Sequence, residues 1–229
     1  MYGLRKIRKD GKNNFNDFEW PLKVGAEVEA PDWNSNPECG GGLHCLPNAK
    51  GGWYYLRGDY WAVLEFDVKD MVLIEDDKCK IKKCEIVFLS ENPEGMIKFF
   101  DHENFDPQTA YDWALNIGNK DIMIDKIITS REAYYWARNI GNKNIMIDKI
   151  IDSFWAYFWA VYIGNKDIMI SKIVESKWAY YWAYFIGNKD IMIDRIVESE
   201  WALHWAYNIG NKDIMVARFP EIAGRLKYI

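Results

Sequence analysis

Gly118, Gly141, Gly164, Gly187 and Gly210 stand 23 residues apart, each inside a near copy of S-x-x-A-x-x-W-A-x-x-I-G-N-K-D-I-M-I-D-K-I-V-E. A fixed period of this length is the signature of stacked repeats. One such unit cannot bury its own apolar face, so its neighbours must cover it. The units run 107–129, 130–152, 153–175, 176–198 and 199–221, and 222–229 forms a C-terminal cap.

Each unit reads as two short helices. Ser130, Ser153, Ser176 and Ser199 stand where an N-cap belongs, with Pro107 in that place in the first unit. The glycine ends the first helix with a left-handed residue. Asn119, Asn142, Asn165, Asn188 and Asn211 then cap the second helix. Asp121, Asp167, Asp190 and Asp213 in its first turn suit the helix dipole, as do Lys126, Lys149, Lys172 and Arg195 in its last. In the third unit Ala156, Trp159, Ala160 and Ile163 fall at i, i+3, i+4 and i+7, one buried stripe, and Met169, Ile170, Ile173 and Val174 form the facing surface. The tryptophan column (Trp113, Trp136, Trp159, Trp182, Trp205) and the methionine column from Met123 to Met215 are therefore core.

A second aromatic stripe runs beside this core. Trp155, Trp178 and Trp201 begin it, Tyr135, Phe158, Tyr181 and His204 continue it, and Tyr162 and Phe185 extend it by a turn. Its neighbours Arg138, Asn139, Glu132 and Asn208 place it at the border with solvent. These rings either widen the core between successive helices or form an exposed ladder for a partner. The core columns barely change from unit to unit and this stripe does, which favours some functional use. Five units at ~8–10 Å per helix present a face able to supply the ~800 Å² of a standard interface. The residues expected to bind a partner are Trp155, Phe158, Tyr162, Trp178, Tyr181, Phe185, Trp201 and His204. Nucleic acid is not expected: aromatic platforms that hold it line a positive groove, whereas the lysines of the Asn-Lys-Asp corners are each followed by Asp or Asn.

The front of the chain differs in charge and pattern. Residues 1–106 hold 14 Lys and Arg against 20 Asp and Glu, a net of −6, within a chain of net charge −5. An acidic protein is a poor general binder of nucleic acid. LRKIRKDGKNN reads as a strand and turn, KVGAEVEA alternates, and DYWAVLEFDV with MVLIEDDKCKIKKCEIVFL reads as a central pair of strands. The segment APDWNSNPECGGGLHCLPNAKGG is too rich in Gly and Pro to be regular, and SENPEGMIKFFDHENFD bridges to the repeats, partly helical. The resulting fold class is α+β: a β-rich module over 1–92, a linker over 93–106, and a short α-solenoid of five two-helix repeats. No apolar run reaches the ~20 residues of a membrane span, the N-terminus shows no signal core, and four cysteines without one read as reduced thiols in a cytoplasm.

Cys39-Gly40-Gly41-Gly42-Leu43-His44, with Pro31, Asp32 and Trp33 ahead of it, resembles the motif of an uncharacterised N-terminal domain of phage and bacterial proteins, often followed by tandem repeats. The resemblance covers roughly residues 15–90. This sequence departs from the pattern in placing Cys45 and Leu46 after the histidine. The resemblance implies a phage-derived factor acting in a host cytoplasm, and hence a protein that binds and inhibits a host defence complex, such as a CRISPR complex, through its repeat face. It implies no cofactor.

Other chemistries are open at this loop. Cys39, His44 and Cys45, with Cys79 and Cys84, are candidate zinc ligands, but C-x4-H-C and C-x4-C are not the usual C-x2-C spacing. Cys79 and Cys84, five apart on one strand, should face opposite ways unless a bulge intervenes. A Cys–His nucleophile pair would need Cys45 over His44. The Gly-x-His segment also resembles that of mono-ADP-ribosyltransferase-like enzymes, although Glu65 and Glu85 do not complete a set. The third function class is a repeat protein that assembles with its own copies.

Overall fold

The computed structural model describes residues 1–12, 18–74 and 78–226. It is an α+β protein, a seven-stranded antiparallel sheet curled into a half-barrel and followed by helical repeats. The turn expected at Asn13–Asn14 and the end of the basic tail, residues 227–229, lie outside the described residues. Among those described, no helix is long and apolar enough to cross a membrane. The chain divides into two compact units, Met1–Ile127 and Ile128–Ile229.

In the first unit the strands are β1 (Tyr2–Ile7), β2 (Glu27–Glu29), β3 (Leu43–Pro47), β4 (Tyr60–Glu65), β5 (Met71–Ile74), β6 (Lys78–Ile81) and β7 (Lys83–Ser90), in spatial order β2-β7-β4-β1-β3-β6-β5. One face buries Ile7, Leu43, Cys45, Leu64, Cys79, Ile81, Cys84 and Ile86 around Trp20 and Phe66. Two expectations change here. The glycine-rich segment contains a strand, because Leu43, Cys45 and Leu46 supply buried positions once β6 lies alongside. The segment MVLIEDDKCKIKKCEIVFL, read as one strand, holds three, β5, β6 and β7, with its residues 75–77 outside the described residues. At Lys82 the chain leaves the ladder, donating to Asp70 O (2.8 Å) and accepting from Ala30 N (2.8 Å), and then changes partners. That break resets the alternation, so Cys79 and Cys84 face the same core.

Residues 93–106 hold two 3-10 turns, Met96–Phe99 and His102–Asn104. The first repeat, with helices α1 (Pro107–Asn116) and α2 (Lys120–Met123), belongs to this same unit. Its Trp113 sits within 5.4–6.0 Å of the rings of Phe105, Phe100 and Trp53, which do for it what a preceding repeat would do.

The second unit stacks the other four repeats. Their first helices are α3 (Ser130–Asn139), α5 (Ser153–Tyr162), α7 (Ser176–Phe185) and α9 (Ser199–Asn208). The second arms are α4 (Lys143–Met146), α6 (Lys166–Met169), α8 (Lys189–Met192) and α10 (Lys212–Arg218), and α11 (Ala223–Leu226) closes the stack. The arms α4, α6 and α8 are one α-turn continued by a 3-10 turn, shorter than a full helix. Trp136, Trp159, Trp182 and Trp205 are wholly buried with their flanking alanines and methionines, as the periodicity predicts.

The corner works differently from a side-chain cap. Gly164 (φ 117°) and Asn165 (φ 54°) both take positive φ, and the asparagine makes no side-chain capping bond. The N-cap of the first helix is the residue before Pro107 or the serine: Asp106, Thr129 and Asp152 accept from the third helical N–H, whereas Glu175 and Glu198 make no side-chain capping bond. The serine is the first helical residue, buried at Ser130, Ser153 and Ser176 and half-buried at Ser199. Ser153 Oγ accepts from Val174 N (2.9 Å) and Glu175 N (3.3 Å) and donates to Lys172 O (3.3 Å), closing its own unit 21 residues later. Ser130 and Ser176 repeat the clasp. The cations ending the second arms of the third, fourth and fifth repeats reach to the repeat before. Lys172 Nζ donates to Ile150 O (2.6 Å), Arg195 to Ile170 O and Ile173 O, and Arg218 to Ile193 O (2.8 Å) and Ile196 O (3.0 Å). Val174, expected in the core, is exposed, because the backbone is extended at Ile173 and consecutive side chains there point opposite ways.

Replacing the buried Ser153 by alanine removes the acceptor of two part-buried N–H groups, Val174 N and Glu175 N, so we expect a loss of about 1 kcal/mol in urea unfolding. Ser171→Ala, at an exposed hydroxyl, should stay within about 0.5 kcal/mol.

Candidate functional site

With the tryptophan column facing the core, the second, sixth, ninth and tenth residues of each first helix face outward. In α3 these are Arg131, Tyr135, Arg138 and Asn139. In α5 they are Phe154, Phe158, Val161 and Tyr162, in α7 Lys177, Tyr181, Tyr184 and Phe185, and in α9 Glu200, His204, Tyr207 and Asn208. The outward face is thus apolar on the third and fourth units and polar on the units that flank them. Tyr162 and Phe185 remain 60% and 64% exposed, and Phe154, Val161 and Tyr184 are exposed as well. Ring contacts join them: Phe154 to Trp178 at 5.0 Å, Phe158 to Tyr162 at 5.9 Å, Tyr181 to Phe185 at 6.2 Å and Tyr184 to Phe185 at 4.8 Å.

The expected partner-binding residues divide into two groups. Trp155, Trp178 and Trp201 are half-buried wedges between successive helices. Trp155 lies 5.1 and 5.6 Å from the rings of Tyr134 and Tyr135, Trp178 lies 5.4 Å from Tyr157, and Trp201 lies 5.6 and 5.8 Å from Tyr180 and Tyr181. They widen the core. Phe158 and Tyr181 are half-buried bridges, whereas Tyr162, Phe185 and His204 are exposed. Phe154, Val161 and Tyr184 were missing from the expected set. Reckoning the helix phase from the buried tryptophan, rather than from the first aromatic of the unit, places them outward. Cations edge the patch: Arg138 lies over the Tyr162 ring at 5.6 Å and Lys177 over Trp178 at 5.3 Å.

The glycine loop is a separate site in the first unit. Lys80, wholly buried, holds the loop through Asn34 Oδ1 (2.7 Å), Glu38 O (3.1 Å) and Gly40 O (3.1 Å). Cys39, His44 and Cys45 do not converge. Cys39 is exposed and its Sγ lies 3.7 Å from Lys78 Nζ, His44 Nε2 accepts from Gly40 N at 3.5 Å, and Cys45 lies beneath the sheet with its Sγ 3.4 Å from that of Cys79. Consecutive residues of a strand face opposite ways, so Cys45 cannot reach over His44. Among the described residues no three His, Cys, Asp or Glu side chains group as a metal site would require. Burial, joined by the charges of Arg5, Lys78 and Lys80, lowers the His44 pKa to about 4. Burial raises the Cys84 thiol to about 12, and the Cys79 contact with burial raises Cys45 as well. Beside His44 opens a pocket of about 750 Å³, walled by Gly40–Gly42, Lys6, Tyr54, Tyr55, Arg57 and Lys78.

Residues 1–98 match a family model described as Domain of unknown function (DUF7666), and the match ends ahead of the first repeat. No curated protein and no solved structure matches the chain. The front module is thus an uncharacterised domain in its family assignment too, and the repeats are interpreted on their geometry alone.

Two outcomes follow from this electrostatics. In the native protein a maleimide should label Cys39 alone, with Cys45, Cys79 and Cys84 reacting only after unfolding, as peptide mass mapping would register. His44 is neutral when folded down to about pH 4 but takes a proton near pH 6.5 when unfolded. Stability from this group is therefore complete above pH 6.5 and lost as pH falls towards 4. The urea midpoint of His44→Gln should fall less over that window than that of the parent chain.

Proposed function

We propose that this is a protein-binding protein, with no chemistry of its own at the repeats, whose third and fourth units dock the apolar surface of another protein. The observation that carries the reading is the joined set of exposed rings Phe154, Tyr162, Tyr184 and Phe185, bounded by polar residues on the second and fifth units. A contiguous apolar patch with a polar rim is what interfaces present, and aromatic residues supply most of their binding energy. Arg131, Arg138 and Lys177 at its edges suit a partner whose apolar surface is bordered by carboxylates. In its finer form the proposal makes that partner a bacterial host defence complex, such as a CRISPR complex, inhibited by occupation of its surface. That form rests on the resemblance of the front module to phage and bacterial domains.

A second reading, pairing with another copy of the same face, is favoured by one observation. A two-fold axis between the third and fourth units and parallel to their first helices would set Arg131 opposite Glu200 of the other copy, so these rim charges would match.

The testing variant is Tyr162→Ser with Phe185→Ser, because both rings are exposed and their loss should spare the fold. Removing Trp155, Trp178 and Trp201 instead would unseat the contacts between units. Tagged intact chain in bacterial lysate should retain a defined complex that the variant holds at least about tenfold more weakly. Sedimentation across a concentration series decides the second reading, since only self-pairing makes the mass double and the variant abolish the doubling. Identical retention by both chains, with a constant monomer mass, would overturn both readings.

A further inference from the structure

The pocket beside His44 is cationic within an acidic region. Residues 1–106 carry a net charge of −6, yet Lys6, Arg57 and Lys78 reach the pocket from three separate segments, and Asp32 is the one carboxylate among the described residues that line it. None of these three cations lies within ion-pair distance of a carboxylate among the described residues. Positive charge gathered in a concave site focuses the field on an anion. A metal ion would meet these cations with Asp32 and a neutral imidazole as its donors. A purely apolar ligand would leave the ammonium groups desolvated and unpaired.

The aromatic half of the pocket narrows the class. Tyr54 is 67% exposed, its ring centroid lies 4.2 Å from that of Tyr55, and Lys78 Nζ stands 4.4 Å over Tyr55. Exposed tyrosines beside cations form a stacking platform for a planar ring that carries negative charge. The third wall is backbone. Gly40, Gly41 and Gly42 hold φ of 101°, 55° and 151°, and a Cβ at Gly41 would lie 1.9 Å from Asn34 Nδ2. Only glycine keeps this wall flush, and the Lys80 anchorage fixes it before any ligand arrives. A volume of about 750 Å³ lies within the span usual for small-molecule sites, ~300–1,000 Å³.

We propose that this pocket binds a small anion bearing a planar ring, the chemistry of a mononucleotide, with Lys6, Arg57 and Lys78 on the anionic group and Tyr54 and Tyr55 against the ring. The site is independent of the repeat face.

The chain holds three histidines, so imidazole resonances in a two-dimensional NMR spectrum are few, and His44→Gln assigns the one that matters. The probes are ADP, inorganic phosphate and adenosine, added to the full chain. ADP should shift the His44 resonance and raise its titration midpoint, because burial and then the neighbouring cations hold the ring neutral, and a bound anion offsets the cations. It should bind at least about tenfold more tightly than phosphate or adenosine alone, since each carries half of the recognition. Arg57→Met and Lys78→Met should each weaken ADP at least about fivefold. Arg57 is exposed, so that variant stays informative even if Lys78→Met disturbs the loop. No change at His44 with millimolar ADP, undiminished affinity in Arg57→Met, or equal affinity for phosphate and ADP would each overturn the proposal. A single-stranded oligonucleotide bound far more tightly than ADP would replace it with a nucleic-acid site.

Discussion

Two consecutive residues with positive φ, glycine then asparagine, set the geometry of every repeat. Few residue pairs accept this corner cheaply: glycine has no Cβ to clash, and asparagine is among the few other residues that enter the left-handed region readily. Because the reversal takes two residues, the second arm packs back on the first helix, and Met169 and Trp159 are both wholly buried. In the second, third and fourth repeats the short arm then ends in an extended stretch whose N–H groups are met by the buried serine at the start of the same repeat. Carbonyls at the end of these arms are met by the Lys or Arg of the next repeat. Intra-unit closure and inter-unit attachment therefore both follow from where the corner leaves the chain.

The period, the place of the corner at the glycine and the core columns are legible because they are local and repeated; that the asparagine turns left-handed as well, without a side-chain cap, is not. The partners of the serine and the cation are not either. A serine ahead of an apolar run looks like an N-cap, and nothing local reveals that its hydroxyl meets a backbone 21 residues on while the preceding Asp or Thr does the capping. A lysine in a last turn likewise suits its own helix dipole, yet here it serves the carbonyls of its neighbour. The sheet shows the same limit at Lys82, where the alternation resets because the chain changes strand partners. That event depends on Asp70 and Ala30, both far away in sequence. At the candidate site the stripe was found but its phase was not, since Trp155 and Tyr162 are equally aromatic and only burial separates wedge from surface.

The distinction bears on what the aromatic face is for. The wedge tryptophans sit where a neighbouring unit must be met, so stacking alone accounts for them. Tyr162, Tyr184 and Phe185 meet no such demand. The second and fifth units show that the same helix tolerates Arg138, Asn139 and Asn208 at these outward positions, with its tryptophan equally buried. Folding thus leaves these positions free, and soluble stacks ordinarily fill such positions with polar groups. Exposed Phe and Tyr rings on the first helices of two adjacent units are a departure that the fold does not require, and an interface is the physical setting in which it is favourable.

The glycine loop shows the same separation between what the fold consumes and what it leaves over. Lys78 and Lys80 stand two residues apart on one face of β6. Lys80 is wholly buried, and its ammonium is met by Asn34 and the carbonyls of Glu38 and Gly40, so its charge is spent on holding the loop closed. Lys78 borders the pocket with Cys39 and Tyr55 near its ammonium and, among the described residues, no carboxylate in ion-pair reach. Were the loop only a structural closure, one satisfied lysine would serve. A second one beside it, at the cavity with Arg57 and with Lys6, whose ammonium stands 4.5 Å over the Trp61 ring, adds like-charge repulsion that closure does not need. A bound anion relieves that repulsion, which is why the pocket is better understood as a receptor for negative charge than as a by-product of the turn.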